Sequence, residues 1–155
     1  MKTPSIRVVR FPYEEPYHLH LLLEASNGRL YGELEYYCNA DDFEQLGNQL
    51  TNFSGKRGEE VVYERGSEKP KDRSAYFLSI RAKPVDLSGH CAVRIRMNNN
   101  QQEPDKEMIE FSIKANVADL NRLGRLFIGF RRLEHRVLQW QVQDGRLIEQ
   151  YEEAV

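Results

Sequence analysis

The residues whose types and spacing could do chemistry are few, and each also has a plain structural account. His18 and His20 stand two apart in the run HLHLLLEA. Residues i and i+2 of a strand share a face, so both imidazoles could meet one metal ion or ligand. Cys38, on the next apolar run, is the only suggestive third metal ligand; the alternative is two histidines on the solvent side of a half-buried strand. Arg94 and Arg96 share a face in the same way and could clamp an anion, because guanidinium forks match carboxylate and phosphate oxygens. They could equally be a solvated stripe. Asp86-Leu87-Ser88-Gly89-His90 gathers an acid, a hydroxyl and an imidazole, but triad members ordinarily come from distant parts of a chain around an oxyanion site. A turn, with Asp and Ser bonding local backbone and Gly supplying positive φ, is the better account.

Charge and aromatic content suggest surfaces more than reaction centres. Arg122, Arg125, Arg131, Arg132 and Arg136 make one segment basic, with Glu134 alone opposing them, while Asp41, Asp42 and Glu44 make an earlier one acidic. These are either solvated helix faces or a patch that docks a protein of complementary charge. Tyr13, Tyr17, Tyr31, Tyr36 and Tyr37 crowd the first quarter of the chain; strand alternation sends about half of such residues inward, and the rest could form a contact surface, since Tyr is enriched at interfaces. Arg122, Arg125, Arg132, Tyr13 and Tyr17 are therefore the candidate partner-binding residues, and His18, His20, Arg94 and Arg96 the candidate ligand-binding ones. The adjacent pairs Glu14-Glu15, Glu59-Glu60 and Glu152-Glu153 diverge in an extended chain and imply no acid–base couple.

The elements that must position these residues follow from periodicity. NADDFEQLGNQLTNF (residues 39–53) returns as NVADLNRLGRLFIGF (116–130): Asn39, Asp42, Leu46, Gly47 and Phe53 recur as Asn116, Asp119, Leu123, Gly124 and Phe130, a constant offset of 77 positions. Phe43, Leu46, Leu50 and Phe53, and then Leu120, Leu123, Phe127 and Phe130, each form one apolar stripe at helical spacing. Gly47 and Gly124 lie at matched points inside these helices, where Gly costs about 1 kcal/mol relative to Ala. A close approach, helix to helix across a pseudo-two-fold axis or helix to sheet, would compensate. Around each helix lie apolar, partly alternating runs. Residues 18–25 and 29–38 flank Asn27-Gly28, the signature of a type I′ hairpin. The sequence predicts an α+β fold: a tandem duplication of a β-β-β-α-β unit, with a largely antiparallel sheet of about eight strands and both helices on one face. It forms one domain of two repeats, about 5–66 and 75–143, with a tail at 144–155 that could add a strand.

Composition excludes several classes. With 155 residues, 40% hydrophobic and 30% charged, the chain can bury a complete core and lacks the signature of disorder. A formal charge of −2 and a pI near 6.1 give no global electrostatic reason to approach nucleic acid or an anionic membrane. Neither is expected as a partner. There is no signal-like leader or membrane-length apolar run, so a cytoplasmic setting is expected. Cys38 and Cys91 lack metal-ligand spacing and are read as reduced strand residues. No cofactor, catalytic or metal motif stands out, and an enzyme is not expected.

From AYFLSIRA through the Asp86–His90 turn, HCAVRIRM, EFSIKA and the Leu-rich helix ending in Phe, the second half resembles small bacterial proteins that include immunity proteins of polymorphic toxins, of the wall-associated-protein immunity type. The resemblance implies a non-enzymatic cytoplasmic protein-binding module, an antitoxin that occludes a toxin. Two other readings stand beside it: a small-molecule or anion-binding domain, possibly an enzyme, with a cleft between the repeats, and a structural homodimer joined along a free sheet edge.

Overall fold

The computed structural model describes residues 3–12, 15 and 17–149. Their elements run β1 (Ser5–Phe11), β2 (Leu19–Ser26), β3 (Tyr31–Cys38), α1 (Ala40–Thr51), β4 (Val61–Gly66), β5 (Phe77–Pro84), β6 (His90–Asn98), β7 (Met108–Asn116), α2 (Val117–Phe130), β8 (Val137–Trp140) and β9 (Gly145–Ile148). The β-β-β-α-β order expected of each repeat is present twice, and residues from the predicted tail add β9.

Alternation decides which face of each strand is buried. Along β7, Phe111, Ile113 and Ala115 point inward while Glu110, Ser112 and Lys114 point out. Leu19, Leu21 and Leu23 of β2 do the same on the other sheet. The inner faces of both sheets and the two helical stripes meet in a single core that includes Tyr36, Phe43, Leu50, Phe127, Phe130 and Trp140. No helix among the described residues is long and apolar enough to cross a membrane.

The strands are antiparallel throughout but divide between two sheets, ordered β3-β2-β1-β8-β9 and β4-β5-β6-β7. Each repeat keeps its first three strands together and gives its last to the other: β4 pairs with β5, and β8 with β1. Each helix thus carries the chain from one sheet to the other. The halves interlock, and neither can close its sheet alone.

The helices cross at the matched glycines. A methyl on Gly124 would lie 2.4 Å from the Thr51 backbone nitrogen and 2.7 Å from the Gly47 carbonyl oxygen, and one on Gly47 would lie 2.9 Å from the Gly124 carbonyl oxygen. Backbone meets backbone, so helix-to-helix contact is the compensation for both glycines. Asn121 of α2 fastens the crossing by donating from Nδ2 to the carbonyls of Leu50, Thr51 and Phe53 at 2.9–3.1 Å. It thereby satisfies carbonyls that the end of α1 leaves without intrahelical partners. Trp140, fully buried, donates from its indole N–H to Asp119 O at 3.0 Å and ties β8 to α2.

Two local expectations are refined. The first hairpin forms, but its connection spans residues 27–30 with positive φ at Gly28 alone, and the Asn27 Oδ1 accepts from the backbone N–H of Arg29 and Leu30. An Asn-centred turn replaces the two-residue type I′ form. The Asp86–His90 segment is a turn as expected: Asp86 Oδ1 accepts from Ser88 N–H at 2.7 Å, and Oδ2 lies 2.6 Å from His90 Nδ1. Those bonds hold the Asp86 carboxyl below its usual range.

Gly124→Ala should destabilise the protein by about 1–3 kcal/mol, because overpacking against backbone outweighs the gain in helix propensity. The shift in chemical-denaturation midpoint measures it; an unchanged or raised midpoint would contradict the close crossing.

Candidate nucleic-acid interface

A concavity lies where the sheets come together at one end. It is a cleft of about 960 Å³ lined by the free edge of β3, by Ala75 and Tyr76, and by the β6–β7 connection with the adjoining strand ends. The sequence brings the walls this close because β3 carries Gly32 there. A Cβ on Gly32 would stand 2.7 Å from Ile109 Cγ2 and 3.1 Å from Met97 Cε. Tyr76 bridges the other side. Its hydroxyl accepts from Tyr37 N–H at 3.0 Å and donates to Tyr37 O at 3.3 Å, and its ring meets Tyr36 edge-on at 6.4 Å. Tyr31 and Tyr37 stay exposed at opposite ends of β3, at 52% and 41%. Burial, the bond to Glu33 and the nearby Glu24 charge push the Tyr31 hydroxyl above its ordinary pKa.

The cleft opens onto the outer face of the four-stranded sheet. Cross-strand registers give successive rows there: Phe77, Asn98, Met108; then Ser79, Arg96, Glu110; then Arg81, Arg94, Ser112; then Lys83, Ala92, Lys114. Asn98 and Met108 belong to both the first row and the cleft wall. The cations on this face are unequal. Arg81 is paired to Glu60 and Glu64, and Arg96 to Glu68 at 2.8 Å, whereas Arg94 only approaches Glu110 at 3.7 Å. Lys83, Lys114 and, at the cleft mouth, Lys106 have no carboxylate within ion-pair distance among the described residues. Hydrogen bonding from Arg96 holds the Glu68 carboxyl low, with burial opposing and Asn98 assisting. Burial works against the charged form of Glu64, yet bonds from Ser79 and Arg81 lower it too.

The structure separates the sequence candidates. His18, just before β2, and His20 both stack on the Tyr37 ring, at 4.9 and 4.8 Å between centroids, with Phe11 against His20. Cys38 pairs with Leu19, so its side chain falls on the opposite face from His20. No group of three or more potential ligands capable of holding a metal ion occurs among the described residues. Arg94 and Arg96 share the outer face as expected. Arg122 is engaged inside the fold, on Asp119 at 3.2 Å and on the Val142 carbonyl at 2.9 Å. Arg131 reaches Asp41 and Glu44, so the acidic start of one helix and the basic exit of the other meet each other. Arg125 and Arg132 are exposed, as is Tyr17 at 88%, while Tyr36 is buried. Tyr13 lies outside the described residues.

The cleft itself escaped sequence reasoning. Its walls come from three remote segments, and the only local signal was an unexplained Gly inside a strand run, which marks close backbone approach. Sequence reasoning also missed a buried polar cluster behind it. Asp42, the counterpart of Asp119, accepts from the Tyr63 hydroxyl at 3.1 Å and pairs with Arg65. Burial, with the Asp42 charge nearby, pushes the Cys38 thiol up to about 12.

In class, the fold is an antiparallel α+β arrangement of two sheets with two crossed helices. No known family profile matches the chain, and no curated protein matches it in sequence. Among solved structures it is similar to WHY3 from Arabidopsis thaliana, with 12% identity and a TM-score of 0.46 over 84% of this chain and 83% of that one. It is similar also to the plant transcriptional regulator PBF-2, with 10% identity and a TM-score of 0.48 over 84% and 76%. These findings correct the functional expectation. No family profile or curated protein supports the immunity-protein resemblance, and neither similar structure is described as an immunity protein, so the protein-binding antitoxin reading is withdrawn. The exclusion of nucleic acid is withdrawn as well. That exclusion rested on the overall charge, which averages over the surface and does not register the row of cations on the outer face of the four-stranded sheet.

Two measurements check the geometry. The Cys38 thiol should resist alkylation in the native protein at neutral pH and react at the ordinary rate once unfolded, since the thiolate is the nucleophile. Fast native labelling at Cys38 would contradict its environment. The lowered pKa values of Glu64 and Glu68 stabilise the folded state at pH above the unfolded carboxyl value, and that contribution is lost as pH falls through the folded values. Glu68→Gln should therefore flatten the acid limb of the stability–pH profile, read by thermal melts from neutral to acid pH.

Proposed function

We propose that the protein binds single-stranded nucleic acid, with the backbone laid across the outer face of the four-stranded sheet and bases entering the cleft. The observation that carries this reading is continuity: Asn98 and Met108 form at once the rim of an aromatic cleft and the first row of a face whose next rows hold Arg96, Arg94, Lys83 and Lys114. Rows on a strand face repeat roughly every 6.5 Å, a spacing suited to tracking an extended backbone. Tyr31 and Met108 offer flat or soft apolar surface on which an unstacked base can lie. A duplex hides its base faces and could use only the cationic rows. The two unpaired thiols support a cytoplasmic setting, where cysteines stay reduced.

The overall charge of −2 shapes the binding rather than forbidding it. Arg81 and Arg96 are already neutralised, so phosphate contacts fall mainly to Lys83, Arg94, Lys106 and Lys114. Stacking must supply much of the affinity. With three or four phosphates engaged, log K should fall against log salt with a slope of only about −2 to −3 for single strands.

Fluorescence polarisation with labelled single-stranded DNA and RNA tests the reading. Binding is expected at low salt with that shallow slope. Combining Arg94→Ala with Lys114→Ala should reduce the slope, and Tyr31→Ala should cost about 1–3 kcal/mol in affinity through lost stacking, with melting temperature monitored throughout. Absence of binding to either nucleic acid at micromolar concentration in low salt would overturn the proposal.

A further inference from the structure

β3 is an edge strand, and its free edge forms one wall of the cleft. The Tyr76 hydroxyl shows which peptide groups face outward, since it takes both the N–H and the C=O of Tyr37. Alternation along an antiparallel strand gives the same outward orientation to Glu35 and Glu33. These two residues lie between the point where Tyr76 closes the edge and the point where Ile109 and Met97 crowd Gly32. Each of them therefore presents a backbone donor and a backbone acceptor side by side, with no partner among the described residues.

The side chains that β3 itself adds beside this edge are carboxylates. Glu33 Oε2 accepts from the Tyr31 hydroxyl at 2.9 Å, and Glu35 Oε2 lies 3.1 Å from His20 Nε2, which leaves the second oxygen of each carboxylate open. The Asn98 and Asn99 amides beside it are already engaged. Asn98 Nδ2 donates to Glu68 and its Oδ1 accepts from Asn100 N–H, while Asn99 Oδ1 accepts from the backbone N–H of Gln101 and Glu107. What remains along Glu33–Glu35 is a backbone donor, a backbone acceptor and a carboxylate acceptor.

We infer that the cleft selects guanine from the strand, by pairing the base's O6 acceptor, N1–H and N2–H donors with this donor–acceptor–acceptor edge of β3. The inference rests on the nucleic-acid reading above. The other bases fit less well. Thymine and uracil present acceptor, donor, acceptor, so their third group meets a carboxylate with no hydrogen between them, and a buried acceptor left unpaired is costly. Cytosine places two acceptors against acceptors, and adenine has no third polar group. The carboxylates in the cleft, which would repel phosphates, are accounted for by reading bases, while the backbone runs over the cationic rows outside.

Three labelled oligonucleotides of one length decide the matter: oligothymidylate, the same strand with several internal guanines, and that strand with inosine at those positions, which removes only the N2 amino group. The guanine strand should bind about tenfold more tightly than the inosine strand, the scale of one good base-edge contact. Combining Glu33→Leu with Glu35→Leu removes both side-chain acceptors and should shrink that preference to about twofold or less. Lys114→Ala should weaken all three strands alike. Equal binding of guanine and inosine strands, or a preference that survives the double substitution in a protein of unchanged melting temperature, overturns guanine selection and leaves nucleic-acid binding standing. Failure of all three strands to bind overturns both.

Discussion

The contact on which the rest of the structure depends is the crossing of α1 and α2 at Gly47 and Gly124. With backbone atoms this close, the helices act as one two-stranded layer, and the apolar stripe of each is shared between the sheets. Phe43 stacks on Phe127 and tilts against Phe130 at 5.7 and 5.4 Å between centroids. A side chain at either glycine would push the layer apart and, through Asn121 and Trp140, shift the ends of α1 and β8 together. Helix propensity is sacrificed here for packing, since buried apolar area contributes roughly 25 cal/mol per Å² and a separated helix pair would lose it along both stripes.

Strand exchange follows from that crossing. Each helix enters from one sheet and leaves into the other, so β4 and β8 complete the sheets they are delivered to. The exchange also places the cleft, because it fixes the end of one sheet against the edge strand of the other at Gly32. An edge strand is ordinarily a liability, open to pairing with another chain, and inward closure or charge is the usual protection. Here Tyr76 caps one outward peptide pair and the carboxylates of Glu33 and Glu35 flank the next two. The same groups that discourage strand addition leave hydrogen-bonding capacity available to a flat ligand entering edge-on.

Sequence and structure agree where the determinant is local or repeated. The helical stripes, the offset of 77 positions, the matched glycines and the Asp86–His90 turn are written in spacing and residue type, and each appears as read. Pairing is different. Periodicity says which face of a strand is buried but carries no label for its neighbour, so two sheets with exchanged strands look the same as one sheet of eight. Charge has the same defect. Arg131 and the Asp41–Glu44 pair were each legible as surface charge, yet nothing in a linear chain marks them as mutual partners 90 positions apart.

The two copies have diverged at equivalent positions, and the divergence accounts for the one-sided site. Asp119 closes the start of α2 by accepting from Asn116 N–H at 2.9 Å, whereas Asp42, at the matched place in α1, turns to Tyr63 and Arg65. That change makes a buried polar anchor beneath the end of β3, and Arg65 lies over the Tyr63 ring at 4.9 Å. Low-dielectric surroundings strengthen such an anchor when its members are satisfied. It holds the β3 terminus, and with it Tyr37 and the cleft wall, fixed to α1 and β4. The corresponding edge strand of the second sheet, β7, is followed by a helix whose carboxylate caps its own start and pairs with Arg122 of the same helix, and among the described residues it reaches no neighbouring strand. A pseudo-symmetric scaffold thus carries a built cleft at one of its two equivalent edges, because one aspartate serves a neighbouring strand instead of its own helix.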